Sequence, residues 1–278
     1  MVEHVRGVFR VSIRRACRAV PAPRSTYHYR SRRPEQAVLR KRIREIAEAR
    51  PSYGYARVHV PLRREGWPVN RKRVHRLYRL EGLQMRHKRA RRRVMVQRRE
   101  DRVAADGPNQ IWAMDWMYDE MFDGRRLWVL TVVDTWSRFC PVLRVCRQAK
   151  ALDVVEALRA AVTRSGRPSV IRVDQGCQFT SRELDLWAYG AGVRLAFSRR
   201  GKPTDNAHAE AFNARLRAEC LDRNWFLSLE DAQAKVETWR VDYNEVRPHS
   251  AIGGRPPSAL LYEPGKAPGR VRMPESLA

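Results

Sequence analysis

In the first 107 residues of the chain, short amphipathic segments alternate with connecting segments rich in Pro, Ser and Arg. Between residues 35 and 49, apolar residues recur at helical spacing at Leu39, Ile43, Ile46 and Ala47. A second periodic segment turns one face inward at Val74, Leu77, Tyr78 and Leu80. Asn70 stands at its N-cap position and Gly82 at its end. Two short helices around a Gly-containing turn predict a helix-turn-helix, with residues 35–85 as an all-α unit.

From residue 108 onward the pattern changes to strands. IWAMDWM is a near-continuous apolar run, typical of a strand covered on both faces. Turns at Asp123-Gly124 and after Asp134 lead into LWVLTVV and FCPVLRV. A helix, the strand SVIRV, a second helix, the strand VRLAF and a long helix follow, and a further helix runs from Leu229 to Asn244. This order predicts an α/β, RNase H-like domain with a mixed five-stranded sheet and helices.

Charge divides the chain in the same place. The formal net charge is +26, and residues 1–107 hold 31 Lys and Arg against 9 Asp and Glu. A polyanionic partner is the natural inference. We expect an N-terminal short-helix DNA-binding segment at 1–34, the helix-turn-helix at 35–85, a basic linker at 86–107, a catalytic core at 108–222, and a C-terminal helix with a Pro/Gly-rich tail at 223–278. Ser12 is placed to cap a short helix in the first segment.

Several classes of protein are disfavoured. No stretch approaches the roughly 20 apolar residues of a membrane-spanning helix, and no signal peptide is indicated. The five cysteines include no Cys-x-x-Cys pair, so we interpret them as reduced packing residues of a cytoplasmic protein and expect no zinc.

Three carboxylates carry the candidate chemistry. Asp115 lies in the middle of an apolar strand, where an unpaired charge is costly. Asp174 ends the strand SVIRV, at the edge where α/β sheets commonly open onto a site. Glu210 shares a helix face with Asn206, Asn213 and Arg217, while Ala209, Phe212, Leu216 and Cys220 form the packed face. Three such carboxylates can converge on hard divalent cations, and two ions can activate an attacking oxygen and stabilise a leaving one.

Each of these residues also has a structural interpretation when taken alone. A strand-end Asp commonly caps a turn, and a helical Glu is usually just exposed. Asp134 is a rival carboxylate, but a turn-forming Asp is sufficient explanation for it. His208 and His249 could be ligands or phosphate contacts, although a lone His is more often neither. The combination and its spacing, with 35 residues between Asp174 and Glu210, favour a site.

Several blocks of the sequence resemble those of a known protein family. The blocks YGYARVHVPLRREGWPVNRKRVHRLYRLEGL, NQIWAMDWM, VVDTWSR, IRVDQGCQFTS, GKPTDNAHAEAFNARLRAECL and YNEVRPHSAIGGRPPSALL look like those of bacterial insertion-sequence transposases of the second-reading-frame type, which have a retroviral-integrase-like Asp-Asp-Glu core. The resemblance implies Asp115, Asp174 and Glu210 as catalytic metal ligands for two Mg²⁺ or Mn²⁺ ions. Pro61 lies where the first helix of the family's helix-turn-helix usually continues, and a kink is expected there.

The resemblance also implies an activity and its partners. Water would cut the element's end, and the freed 3′-hydroxyl would attack a second phosphodiester. Double-stranded DNA, as terminal inverted repeats and target, is the expected substrate of a homo-oligomer in the bacterial cytoplasm, associated with the nucleoid, with an upstream-frame protein as a further partner. The expected DNA contacts are Arg217, Lys202, Asn206, Arg71, Lys72, Arg73 and Arg76. Two alternatives stay open: a nuclease of the RNase H or junction-resolving type, and a catalytically decayed DNA-binding protein.

Overall fold

The computed structural model describes residues 1–30, 36–85, 104–199 and 206–261. The linker residues 86–103, Lys202 and the tail from 262 therefore lie outside the described part. The chain begins with three short helices, α1 (Val2–Phe9), α2 (Ile13–Ala19) and α3 (Arg24–His28). Ser12 Oγ accepts a hydrogen bond from the backbone N–H of Arg15 at 3.3 Å, so the predicted cap of α2 is confirmed.

The helix-turn-helix region is a three-helix unit. It consists of α4 (Ala37–Ala49), α5 (Tyr55–Arg64) and α6 (Arg71–Leu80) around one apolar cluster. Asn70 Oδ1 accepts from the N–H of Arg73 at 2.7 Å and caps α6 as predicted. Leu80 differs from the expectation, because it lies 66% exposed outside the cluster. Helix α5 continues through Pro61.

A five-stranded sheet forms the centre of the second half. Its strands are β1 (Ile111–Glu120), β2 (Arg126–Asp134), β3 (Val142–Cys146), β4 (Val170–Val173) and β5 (Arg194–Phe197), in the order β3-β2-β1-β4-β5. The first three strands pair antiparallel, whereas β4 pairs parallel with both β1 and β5. This mixed sheet confirms the predicted class.

Helices cover both faces of the sheet. On one face, α7 (Ala151–Ser165) and α8 (Arg182–Ala191) bury a cluster that includes Trp112 and Met114 of β1. On the other face, α9 (Ala207–Glu219) and α10 (Leu229–Glu245) bury a cluster that includes Ala113 and Met117. Successive strand residues point to opposite faces, so β1 supplies even-numbered residues to the first cluster and odd-numbered ones to the second.

Helix α10 packs into the same cluster as α9 through Ala232, Val236 and Tyr243. The domain boundary expected after residue 222 falls inside this cluster. After α10 come a 3-10 turn (Ser250–Ile252) and the short helix α11 (Ser258–Leu261). Among the helices of the described ranges, none is long and apolar enough to cross a membrane.

The helix-turn-helix unit contacts the C-terminal end of α10. The guanidinium of Arg50 donates two hydrogen bonds to the carboxylate of Asp242. Arg64 Nη1 donates to the carbonyl oxygen of Val246 at 2.8 Å. These contacts join the N-terminal unit to the sheet domain directly, in addition to the chain that connects them.

Candidate functional site

Asp115 faces helix α9 because of its position in β1. It has the same odd parity as Ala113 and Met117, whose side chains pack on the α9 side of the sheet. Its Oδ2 accepts from Asn213 Nδ2 at 2.9 Å, and its Oδ1 accepts from the N–H of Trp116 at 2.9 Å. Thr131 of β2 donates to Asn213 Oδ1 at 2.8 Å, which fixes the amide with its NH₂ toward the carboxylate.

The electrostatics of Asp115 are those of a crowded carboxylate. Burial, followed by the negative charges of Asp174 and Glu210, raises its pKa to about 6, against the opposing effect of the hydrogen bonds from Trp116 and Asn213. Within the described ranges, no Lys or Arg side chain forms an ion pair with Asp115. Two other negative groups thus act on Asp115, which has no basic side chain paired to it in the described ranges.

Asp174 and Glu210 reach this region from two other elements. Asp174 follows β4 directly, and the parallel register that pairs Ala113 with Arg172 brings Asp174 level with Asp115 when extended by two residues. The N–H of Gly176 donates to Asp174 Oδ1 at 2.9 Å. Glu210 is exposed in the first turn of α9, where negative charge is favoured.

The three carboxylates are not gathered into a closed cluster. In the part of the chain that is described, no three His, Cys, Asp or Glu side chains are grouped closely enough to hold a metal ion. Ionised carboxylates repel one another, so drawing all three together requires a cation between them. Oxygen donors on three separate elements, with no basic side chain of the described residues paired to the half-buried Asp115, are a donor set that suits a hard divalent cation.

Two residues expected to contact DNA near this site, Arg217 and Asn206, form hydrogen bonds within the protein. Arg217 Nη2 donates to the carbonyl oxygen of Tyr118 at 2.6 Å, and its Nη1 lies 3.9 Å from carboxylate oxygens of Asp119 and Asp222. Arg217 is therefore within ion-pair distance of two local carboxylates. Asn206 is buried, and its Nδ2 donates to the carbonyl oxygen of Met114 at 3.0 Å. This side chain secures the start of α9 against β1, and its contact with DNA stays a prediction.

The basic residues of α6 differ in their exposure. Arg71 is exposed, with its guanidinium carbon 5.6 Å from the centre of the Tyr55 ring, and Lys72 is also exposed. Arg73 Nε donates to Gln36 Oε1 at 3.0 Å, and Arg76 is half-buried. The first turn of α6 therefore presents two exposed positive charges to solvent.

The other candidate site residues, Asp134, His208 and His249, form hydrogen bonds with neighbouring groups of the protein. Asp134 is buried and accepts hydrogen bonds from the N–H groups of Asn109, Trp136 and Ser137, so it organises the turn after β2. Burial raises the pKa of this carboxyl group. His208 Nδ1 accepts from Arg138. His249 is buried with Nε2 3.3 Å from the carbonyl oxygen of Tyr243.

The sequence pattern missed the role of Asn213. The helical face that contains Glu210 also contains Asn213, so the pattern placed it near the site. Its contact with Asp115 joins residues 98 positions apart, and its orientation depends on Thr131 of a third element. Helical spacing alone carries no information about either contact.

Comparisons with known proteins follow the same division of the chain. Models described as integrase core domain match residues 105–203 and 191–257, and a model described as HTH-like domain matches residues 33–91. The chain is 43% identical over 255 residues to a 31.7 kDa protein of insertion element IS407 from Burkholderia multivorans, which covers 91% of this chain and 92% of that protein. It is 30% identical to the transposase InsF of insertion sequence IS3A from Escherichia coli, over 88% and 92% of the two chains.

Among solved structures, a chain of the simian T-cell lymphotropic virus intasome superposes on 85% of this chain and 80% of its own length. The TM-score is 0.56 and the sequence identity 16%, a similarity that shows the fold alone.

Proposed function

Because the chain belongs to the insertion-element transposases that have an integrase core domain, we propose that it is a DNA transposase whose reaction depends on Asp115, Asp174 and Glu210. One observation carries the assignment. The parallel register of β1 and β4, extended by two residues past Ala113 and Arg172, makes Asp115 level with Asp174, and the charges of Asp174 and Glu210 both act on Asp115. Phosphoryl transfer needs such a concentration of oxygen ligands beside the reacting phosphate.

The three carboxylates would hold two Mg²⁺ or Mn²⁺ ions. When bound, the ions would activate an attacking oxygen and stabilise the leaving oxygen of a phosphodiester. The chain's own residues position the ligands: Asn213 and the N–H of Trp116 orient Asp115, and the N–H of Gly176 orients Asp174. Hydrogen bonds that fix ligand side chains in this way commonly determine metal affinity.

The proposed substrate is double-stranded DNA, first as the terminal inverted repeats of an element and then as its target. The helix-turn-helix unit, with Arg71, Lys72, Arg73 and Arg76, would bind the ends, and copies of the chain would act together on paired ends, with an upstream-frame protein as a further partner. Arg217 and Lys202 stay predicted phosphate contacts. For Arg217, the phosphate would replace the Tyr118 carbonyl oxygen as hydrogen-bond acceptor.

The proposal is tested with labelled oligonucleotide ends and the variants Asp115→Asn, Asp174→Asn and Glu210→Gln. We expect each variant to lose end cleavage and strand transfer while it keeps end binding and a cooperative unfolding transition. Asp123→Asn is the matched control, since Asp123 is an exposed carboxylate of the β1–β2 turn that pairs with Arg125. Chelation should abolish the activity of the unsubstituted chain, and Mg²⁺ or Mn²⁺ should restore it.

The same assay separates the alternatives. Joining of the 3′-hydroxyl to a new strand identifies a transposase, cutting without joining a nuclease, and binding without either a DNA-binding protein. Wild-type joining by any one of the three carboxylate variants would show that the triad is wrongly assigned.

A further inference from the structure

A basic cavity lies where the helix-turn-helix unit meets the sheet domain. It measures about 330 Å³ and is enclosed by α5, the turn after β2, α9 and the segment that follows α10. Its walls contain four guanidinium groups, which come from Arg57, Arg138, Arg215 and Arg247. We call this space the arginine cavity. Arg57 belongs to the N-terminal unit, and the other three belong to the sheet domain.

Among the four arginines of the arginine cavity, Arg247 forms an ion pair with a carboxylate, that of Glu219. Arg247 is 2% exposed, and Glu219 accepts hydrogen bonds from its Nε, at 3.0 Å, and from its Nη2. In the described ranges Arg57, Arg138 and Arg215 form no ion pair with a carboxylate. Arg57 Nη1 donates to the carbonyl oxygen of Ser52 at 3.2 Å, Arg215 Nη1 donates to that of Ala211 at 2.8 Å, and Arg138 donates to His208 Nδ1. Two of these acceptors are backbone carbonyl oxygens and the third is an imidazole nitrogen, so none of the three arginines has a carboxylate as its hydrogen-bond partner in the described ranges.

Burial and the neighbouring positive charges shift the pKa values of two arginines in the cavity, Arg57 and Arg138. Burial lowers the pKa of Arg57, and the charges of Arg247 and Arg215 act in the same direction, while the Glu219 carboxylate opposes them. The pKa of Arg138 is likewise lowered, mainly by burial and also by Arg215, while Tyr243 and Asp134 act against the shift. Partly buried like charges are costly unless an opposite charge accompanies them.

An anion would supply the missing charge. Guanidinium groups match the oxygens of phosphate in geometry and form charge-assisted hydrogen bonds with them. The space is large enough for a phosphate group with its bridging waters, since one water occupies about 30 Å³ in the liquid. A neighbouring cavity of about 390 Å³ shares Arg138 and His208 with this one and adds Arg172 and Arg255 to its lining, so the basic surface extends beyond the arginine cavity.

We propose that the arginine cavity binds a phosphate group, supplied by the DNA backbone or by a free phosphate anion. The bound group would bridge Arg57 of the helix-turn-helix unit and Arg138 and Arg215 of the sheet domain, and so fix the two units relative to each other. Glu210 and Arg215 lie about 140° apart around α9, so the cavity is separate from the carboxylate site. The DNA source rests on the proposed function, whereas the free anion does not.

The test uses the full chain, the variants Arg57→Gln and Arg215→Gln, and the control Arg159→Gln. Arg159 is an exposed arginine of α7, so its substitution by Gln removes the same charge at a site away from the cavity. In the first arm, inorganic phosphate is compared with chloride at equal ionic strength by calorimetric titration and by the thermal unfolding midpoint. In the second arm, a short labelled DNA duplex is titrated by fluorescence anisotropy over a salt series.

If the free anion binds, phosphate should raise the unfolding midpoint of the unsubstituted chain and of Arg159→Gln, and this rise should vanish in the two cavity variants. If the DNA backbone binds, each cavity variant should lose about tenfold in duplex affinity. The dependence of log K on log salt should then become shallower by about 1, relative to Arg159→Gln. Either result, or both, supports the phosphate site and identifies its source.

Stability provides a separate check on the role of these arginines. In chloride alone, Arg215→Gln should unfold at the same temperature as the unsubstituted chain or higher, because it relieves repulsion. A lower midpoint would mean that Arg215 stabilises the fold, which overturns the proposal. Cavity variants that match Arg159→Gln in both arms would also overturn it. None of these measurements uses catalytic activity, so a failure of the carboxylate triad would be recognised separately.

Discussion

Asn213 is the residue whose contact with the proposed catalytic centre is most specific. It donates to Asp115 Oδ2 at 2.9 Å, and Thr131 orients its amide from the other side. Removing a hydrogen bond that orients a ligand typically costs about 10- to 100-fold in activity or metal affinity. We therefore expect Asn213→Ala to reduce strand transfer by about this factor while end binding is kept, as measured with labelled ends.

The control for this prediction is Ala214→Ser, an exposed neighbour on the same helix. Raising the Mg²⁺ concentration should partly restore Asn213→Ala if the lost hydrogen bond acts through metal affinity. Strand transfer by Asn213→Ala at the rate of Ala214→Ser would remove Asn213 from the site.

His249 gives a prediction on stability and pH. Burial, together with the positive charges of Arg247, Arg215 and Arg57, lowers its pKa from an ordinary 6.5 to about 3, against the hydrogen bond to the Tyr243 carbonyl oxygen. Above pH 6.5 the residue is neutral in both the folded and the unfolded chain. Between pH 6.5 and about 3 only the unfolded chain binds the proton, so the free energy of unfolding falls as the pH falls.

The slope contributed by this residue approaches about 1.4 kcal/mol per pH unit. Urea unfolding at several pH values below 6.5, for the unsubstituted chain and for His249→Asn, measures it. We expect His249→Asn to be less stable at pH 7.5 but to lose less stability on acidification. An unchanged slope in His249→Asn would mean that other groups cause the acid sensitivity.

At the scale of elements, hydrophobic patterning predicted all five strands and the helices that cover them. It misplaced β3, which was expected at residues 139–145 and begins only at Val142. Pro141 has no N–H to donate to a strand ladder. The preceding Cys140 instead exchanges hydrogen bonds with the side-chain amide of Asn244 in α10, at 2.9 and 3.0 Å. The competing partner lies 104 residues away, so a local pattern could not reveal it.

Helix α6 supplies the prediction at this scale. Its N-terminal turn presents Arg71, and Arg76 follows on the half-buried side, whereas Arg79 lies exposed in the last turn. Recognition helices contact DNA mainly through their N-terminal residues. We expect Arg71→Gln with Arg76→Gln to weaken end binding and to make its salt dependence shallower by about 2, as measured by anisotropy. Arg79→Gln is the matched control, and an equal effect of Arg79→Gln would place the DNA elsewhere.

At the scale of the whole molecule, charge and contacts divide the chain differently. The net charge of +26 resides mainly in residues 1–107, and the sequence alone predicted this asymmetry. The contact of the helix-turn-helix unit with α10 and the arginine cavity were not predicted. Arg57, Arg138 and Arg215 belong to three separate segments, and in each segment a lone arginine resembles an ordinary surface residue. Only the folded chain brings them together.

The asymmetry of charge leads to the last prediction, which concerns a fragment that begins at Gly107. Its sheet domain keeps both apolar clusters of the sheet, so it should fold, but Asp242 loses its partner Arg50. The substitution Asp242→Asn removes that unpaired charge from the fragment. The fragment retains 25 Lys and Arg against 21 Asp and Glu, so its net charge is small. It should therefore neutralise few phosphates of the DNA.

We expect this fragment to bind labelled element ends far more weakly than the full chain, and with a shallower dependence of log K on log salt. The full chain with Asp242→Asn is the control, since it keeps residues 1–107 and shares the substitution. Circular dichroism and a cooperative unfolding transition establish that the fragment is folded before its binding is compared. Equal affinity of the folded fragment and the control at all salt concentrations would mean that the sheet domain, rather than the N-terminal residues, holds the DNA ends.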